Sequence, residues 1–277
     1  MFWNARSGVV RLPDAAMDYV VFGTGTQPLV MIPGLGDGLT TVKGMAAAMA
    51  YSYRMYAKDY QVYIFSRKNN LETYYDLNQQ YTTREMAEDL ASALKTLGIA
   101  QAKVLGVSQG GMIAQYLAID HPSFVDRLVL AVTLSRQNPT VQNAVAGWLE
   151  FARQGDYKSL MIDIAEKSYS ETYLRKYRRL YPVLCKIGRP KDFRRFIIQA
   201  DACAGHNAYA LLNRISCKTL VIGGSCDKIV SAAASVELAG QIKDSELYLY
   251  EGLGHAAYEE APDFNSRVMQ FMRYTKP

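Results

Sequence analysis

Cysteine and histidine are scarce in this chain, four and three among 277 residues. Cys185, Cys203, Cys217 and Cys226 form no C-x-x-C pair and no zinc-type spacing, so neither a disulfide framework nor a zinc site is expected. The thiols are expected to be reduced and mostly buried. So few ligands leave metal chemistry without a donor set, and nothing in the sequence asks for a cofactor. No run approaches the roughly 20 apolar residues that span a bilayer, so no transmembrane segment is expected. The opening Met1-Phe2-Trp3-Asn4-Ala5-Arg6 has neither the basic start nor the apolar stretch of a signal peptide, which makes a cytoplasmic location the expectation. The net charge of +5 is mild and comes without a recognition motif or an interleaved basic stripe, so no nucleic-acid partner is expected. Nothing in the residues specifies an oligomeric state.

The composition is otherwise that of an ordinary globular protein, with room for one large domain or one carrying an inserted subdomain. Alternating and apolar runs at 9–12 and 17–22, separated by Pro13-Asp14-Ala15-Ala16, predict an antiparallel hairpin. Leu29-Val30-Met31-Ile32 reads as a buried strand that ends in the glycine-rich Pro33-Gly34-Leu35-Gly36-Asp37-Gly38. A helix over 41–58 and a strand over 61–65 follow. Thr82-Thr83-Arg84-Glu85 has the form of a capping box, and the helix it opens places Met86, Leu90, Leu94 and Leu97 on one face before Gly98 ends it. Further buried strands are read at 103–105 and 127–132. From 135 to 213 helical segments replace them, which suggests an inserted lid. Strands return at 219–224 and 246–250, with helices over 232–242 and 261–274. Strands alternating with helices through short links predict a mostly parallel sheet covered on both faces.

The most informative stretch is Gly106-Val107-Ser108-Gln109-Gly110-Gly111. It lies between an apolar strand and Met112-Ile113-Ala114-Gln115-Tyr116-Leu117-Ala118, which has helical spacing, so Ser108 sits at a strand-to-helix turn. A serine there adopts a strained backbone, and only very small neighbours fit two residues to either side. Gly106 and Gly110 occupy those places. The helix behind the serine offers free N–H groups and partial positive charge, which a tetrahedral oxyanion requires.

A serine hydroxyl needs a base that titrates near neutrality, and that base needs a third group to set its tautomer. His121 precedes the helix-ending Pro122, and His206 falls in the lid. His255 instead closes Glu251-Gly252-Leu253-Gly254-His255 just past the last strand, where a loop at the carboxyl edge can reach Ser108. Asp227 follows the penultimate strand in the same way, whereas the stretch 133–138 after the preceding strand holds no carboxylate. Two N–H groups aimed at one point are also needed. Gln109 supplies one by its place after Ser108, and Leu35 is the candidate for the other because the glycines around it permit close approach. Those glycines do not make a dinucleotide fingerprint, since Leu39 stands where the third glycine belongs.

These residues resemble the α/β-hydrolase superfamily over nearly the whole chain. The stretch 106–111 resembles its nucleophile elbow. Gly223-Gly224-Ser225-Cys226-Asp227 is similar to its acid loop, and Gly254-His255 with Glu260, Pro262 and Phe264 resembles its closing histidine motif. The resemblance implies an α/β fold with an eight-stranded, mostly parallel sheet flanked by helices and a helical cap inserted after the sixth strand. The expected division is a core of 1–134 and 214–277 with a cap of 135–213. Many relatives carry His-Gly at the oxyanion loop where this chain has Pro33-Gly34.

The expected chemistry is serine hydrolysis of a small carboxylic ester, a small-molecule acyl substrate, through an acyl-enzyme on Ser108, with His255 as base and Asp227 orienting it. An aminopeptidase, lactonase, thioesterase or carbon–carbon bond hydrolase would use the same three residues, and a ligand receptor would retain the pocket without turnover. For the substrate pocket the candidates are Tyr173, Tyr177 and Tyr181, which share one helical face, together with His206. The lid is rich in cations: Arg175, Lys176, Arg178, Arg179, Lys186, Arg189, Lys191, Arg194 and Arg195. They form either solvated helix faces or a field that attracts an anionic acyl substrate or an anionic membrane surface.

Overall fold

A computed structural model describes residues 3–273. Eight strands form one sheet: β1 (Arg6–Arg11), β2 (Ala16–Phe22), β3 (Gln27–Ile32), β4 (Tyr60–Lys68), β5 (Ala102–Val107), β6 (Val125–Ala131), β7 (Lys218–Gly224) and β8 (Ser245–Tyr250). Their spatial order is β1-β2-β4-β3-β5-β6-β7-β8. Only the pairings of β2, with β1 and with β4, are antiparallel. Four helices precede the long crossover: α1 (Ala46–Ser52), α2 (Leu71–Asp76), α3 (Thr83–Thr96) and α4 (Gln109–Asp120). Between β6 and β7 lie α5 (Pro139–Arg153), α6 (Tyr157–Ser168), α7 (Glu171–Tyr177), α8 (Tyr181–Leu184) and α9 (Arg194–Ala204). The chain closes with α10 (Ala232–Gln241), α11 (Ala257–Glu260) and α12 (Phe264–Arg273).

The period-two side-chain alternation of a strand divides each central strand between two cores. Val30, Ile32, Val104, Leu128 and Leu130 join Leu90 and Leu94 of α3 and Ile113 and Leu117 of α4 on one face. Leu29, Met31, Leu105, Val129 and Ala131 face the other side with Val268 and Met272 of α12. Each such leucine or valine contributes about 1.5–3 kcal/mol by leaving water. A third cluster joins α5, α6 and α9 through Val145, Trp148, Leu160 and Phe196, and reaches the core at Met112 and Ile229.

The eight-stranded mixed sheet and the expected strands are present, most of them extended by one to three residues. The capping box at Thr82 and Glu85 is complete, with both reciprocal bonds formed. The helix expected over 41–58 shrinks to α1: Gly44 takes a left-handed φ of +74°, and after Ser52 the chain proceeds by i→i−3 turns at Tyr56 and Ala57. The closing helix begins at Phe264, beyond Pro262, and the expected end at Tyr274 lies outside the described residues. The cysteines are free, but only Cys203 is fully buried and Cys226 is exposed. No described helix is long and apolar enough to cross a membrane.

Candidate active site

Sheet order determines where a site can form. From β3 the chain moves outward one way to β4 and then the other way through β5 to β8, so the crevice between the carboxyl ends of β3 and β5 is a topological switch point. Ser108 follows β5 and Gly34 follows β3 at that crevice. Ser108 is held at φ +54°, ψ −120°, a conformation that costs a non-glycine residue about 1–3 kcal/mol. Its glycine neighbours are required by space. A Cβ on Gly110 would stand 1.9 Å from the Ile32 carbonyl oxygen, and one on Gly106 would stand 2.5 Å from that of Gly110.

The loops after β7 and β8 complete the arrangement. Ser108 Oγ lies 3.0 Å from His255 Nε2, and His255 Nδ1 lies 2.8 Å from Asp227 Oδ2. The other Asp227 oxygen accepts the backbone N–H groups of Ile229 and Val230 at 2.8 and 2.9 Å. Burial opposes ionisation of Asp227, yet the His255 ring and these N–H donors outweigh it, so its pKa lies below the ordinary carboxylate value. The two loops are locked together: Cys226 N–H donates to the Leu253 carbonyl, and Gly224 lies so close to Gly254 that a Cβ would meet its oxygen at 2.3 Å. An alcohol, an imidazole and a buried carboxylate in this line allow the ring to take the alcohol's proton while the carboxylate sets the tautomer.

Leu35 begins the 3₁₀ turn Leu35–Gly38 and Gln109 begins α4. The first N–H groups of a helix have no intrahelical acceptor, so the backbone donors of both residues are left without a partner inside their own helices. A Cβ on Gly34 would stand 3.2 Å from Ser108 Cβ, a measure of how closely the β3 loop approaches.

Beneath these donors runs a buried network with no clear signature in the sequence. Asp37 Oδ2 accepts from the Arg67 backbone N–H, Arg195 Nη2 and Gln199 Nε2 at 3.2, 2.8 and 3.0 Å. Arg67 Nη2 donates to the Pro33 carbonyl and to Gln109 Oε1 at 2.6 and 2.9 Å. Gln109 Nε2 in turn donates to the Gln199 carbonyl at 2.7 Å. One hydrogen-bonded unit thus holds the β3 loop, the start of α4 and helix α9. Burial alone would raise the pKa of Asp37, but the guanidinium groups of Arg195 and Arg67 reverse the effect and hold it low. The partial signal was Arg67-Lys68, a basic pair ending a strand that the apolar pattern closed at Phe65.

Ser108 and His255 open onto a cavity of about 380 Å³, within the usual range for small-molecule sites. Trp148, Met161, Ile164, Tyr169 and Phe196 close it from the β6–β7 crossover, opposite Leu35, Met49 and Tyr53. A larger hollow of about 820 Å³ lies between 78–82 and α9 and includes neither Ser108 nor His255.

The pocket candidates fall elsewhere. Tyr173 and Tyr177 stack in a column on Tyr169, and it is Tyr169, in the link between α6 and α7, that reaches the cavity. Tyr181 is turned aside by the hydrogen bond of its hydroxyl to Glu166. His206 is buried against Tyr116 with Nδ1 2.8 Å from Thr83 Oγ1, remote from the cavity lining. His121 is on the surface, paired with Glu88. Part of the positive charge of 135–213 is also neutralised by ion pairs: Arg178 pairs with Glu166 and Glu171, Arg194 with Asp76 and Asp192, and Arg195 with Asp37.

The family model described as alpha/beta hydrolase fold matches residues 27–262. The chain belongs to the α/β-hydrolase family. Among its relatives, the 2-hydroxymuconate semialdehyde hydrolase of Pseudomonas sp. (strain CF600) is 29% identical over 260 residues, which cover 88% of this chain and 86% of the relative. Two solved structures show the same fold. MGS-M2, an alpha/beta hydrolase enzyme from a Medee basin deep-sea metagenome library, superposes with a TM-score of 0.85 at 21% identity, covering 98% of both chains. The enol-lactonase of Burkholderia xenovorans LB400 gives 0.77 at 18% identity, covering 96% of this chain and all (100%) of the other.

Proposed function

We propose that this α/β hydrolase cleaves a small, uncharged carboxylic ester through an acyl-enzyme on Ser108. The observation that carries the reading is the unbroken line from Ser108 Oγ through both nitrogens of His255 to Asp227, at 3.0 and 2.8 Å, with Ser108 and His255 lining a cavity. Ser108 Oγ attacks the carbonyl carbon as His255 Nε2 takes its proton. The carbonyl oxygen, now an anion, is held by the N–H groups of Leu35 and Gln109. The tetrahedral intermediate collapses, His255 returns the proton to the departing alkoxide, and the acyl group remains on Ser108. A water deprotonated by the same ring then releases the acid. Residues 135–213 act as a cap on a core of 1–134 and 214–277, supported by the crossover helices having their own hydrophobic cluster and closing the cavity from one side.

The cavity lining favours an uncharged acyl group. No lysine or arginine is among the described residues that line it, and its carboxylates are Asp37, already paired, and Glu259 at the rim. A substrate of the muconate semialdehyde kind carries a carboxylate, which would lose its hydration here without gaining a cationic partner. The carbon–carbon cleavage suggested by that relative is therefore the second reading, and lactone hydrolysis needs no change to the scheme.

The test is a panel of p-nitrophenyl esters, lactones and dienoate ketones run against the parent and the Ser108→Ala variant, with fluorophosphonate labelling. Turnover of neutral esters and labelling in the parent, both abolished by the substitution, are expected. Hydrolysis that persists in the variant refutes the reading, and a stoichiometric burst without turnover would assign the fold to a receptor.

A further inference from the structure

We propose that the segment 172–191 of the crossover is a docking surface for an anionic lipid bilayer. It runs between Glu171 and Asp192 with seven arginines and lysines and no carboxylate, more positive charge than the +5 of the whole chain. The remainder of the protein is therefore slightly acidic in sum, and the segment is where basic residues concentrate without carboxylates between them. Arg178 is neutralised by Glu166 and Glu171, and Arg175 meets Glu171. Lys176, Arg179, Lys186 and Lys191 are exposed and form no ion pair among the described residues.

Beyond Leu174, which is buried, the same segment leaves its aliphatic side chains bare. Leu180, Val183, Leu184 and Ile187 are 46, 62, 43 and 64% exposed. They lie within eight consecutive residues around α8, Val183 and Leu184 in the helix and Leu180 and Ile187 in the turns on either side of it, flanked by Arg179 and Lys186. Single exposed leucines are ordinary, but four together on a short stretch form a patch that marks an interaction surface. Its chemistry selects the partner. Protein interfaces draw on tryptophan, tyrosine and arginine and are poor in lysine, whereas aliphatic side chains rimmed by lysine and arginine suit the boundary between headgroups and acyl chains.

The patch also adjoins the cavity. The Tyr157 hydroxyl donates to the Ile187 carbonyl at 2.7 Å. A side chain on Gly188 would stand 3.8 Å from Oγ1 of Thr40, one of the residues lining the Ser108 cavity. Docking through this segment brings the cavity mouth to the lipid surface, where esters of low water solubility collect.

The test uses the full chain and vesicles of phosphatidylcholine alone or mixed with phosphatidylglycerol, read by co-sedimentation with no hydrolysis involved. Partition onto the anionic vesicles, weakened by salt and absent on the neutral ones, is expected. Each cation near such a surface contributes roughly fivefold in partition, so K176E/R179E/K186E should lower it at least about a hundredfold. V183S/I187S should lower it as well. Both variants keep the parent's turnover of a soluble ester, since none of these side chains lines the cavity. No partition at low ionic strength overturns the proposal. So does partition unchanged in V183S/I187S, which would make the attraction purely electrostatic, or binding confined to an acidic protein. Failure here leaves the Ser108 chemistry untouched, because that is read by esters in solution.

Discussion

Replacing Asp37 by asparagine removes one charge from the buried network while keeping an oxygen where three donors converge. The Asp37 side chain is 1% exposed and that of Arg195 10%, and Arg67 is equally enclosed. Arginine does not release its proton under these conditions, so the variant leaves two guanidinium groups buried without the carboxylate opposite them. Breaking a buried pair in this way costs about 3–5 kcal/mol. For a chain of this size that lowers Tm by about 10 °C, measured by thermal unfolding at neutral pH. Activity falls too, since Arg67 holds both the Pro33 carbonyl and Gln109 Oε1. A shift of about 1 Å at the Leu35 and Gln109 donors is worth about a hundredfold in kcat. The sign with pH follows from the lowered pKa of Asp37. Its contribution is complete above the unfolded carboxylate value of 3.8 and is lost as pH drops through the folded value, so the parent and the variant converge in acid. Arg195→Met tests the pairing itself: D37N/R195M should lose less than the sum of the single losses. A Tm within about 2 °C of the parent, in a range where about 1 kcal/mol would already show, or strictly additive losses in the double variant, refutes the reasoning.

Asp227→Asn keeps an acceptor for the Ile229 and Val230 N–H groups but presents an amide N–H to His255 Nδ1. The ring then carries its proton on Nε2 and cannot deprotonate Ser108. In serine proteases this change costs about 10⁴-fold in kcat, and a similar loss with matching loss of fluorophosphonate labelling is expected; a variant within tenfold of the parent would deny Asp227 its role. His206 is buried with its pKa depressed to about 3 from 6.5, so the unfolded chain binds its proton first and the fold weakens as pH falls between those values. His206→Gln should flatten that acid slope, which is worth up to about 1.4 kcal/mol per pH unit, without altering neutral-pH turnover. Unfolding curves collected from pH 7 to 4 that stay parallel for the two proteins would show that this group does not carry the slope.

How legible the chain is depends on the range of the physics. Strands β3 and β5 to β7 show themselves because a buried parallel strand must be apolar on both faces. The sharp turn at Ser108 is visible through its two glycines, although only Gly106 is demanded by backbone within the turn, at Gly110, whereas Gly110 is demanded by the Ile32 carbonyl of the neighbouring strand. Helix α1 is shorter than the pattern over 41–58 because helical spacing says nothing of Gly44 entering the left-handed region. Tyr173 and Tyr177 stack on one another while Tyr181 begins a separate helix and bonds to Glu166, and which tyrosine of the stacked column meets the cavity depends on how the crossover helices dock: it is Tyr169.

Local pattern was therefore enough for the strands, the strained serine and the order in which serine, aspartate and histidine follow their strands, since each is dictated by residues within a few positions. The joining of Asp37, Arg67, Gln109 and Arg195 into one buried unit was left to the folded arrangement. Those residues come from four separated parts of the chain, and a charge can remain out of water only where distant segments deliver its partners together.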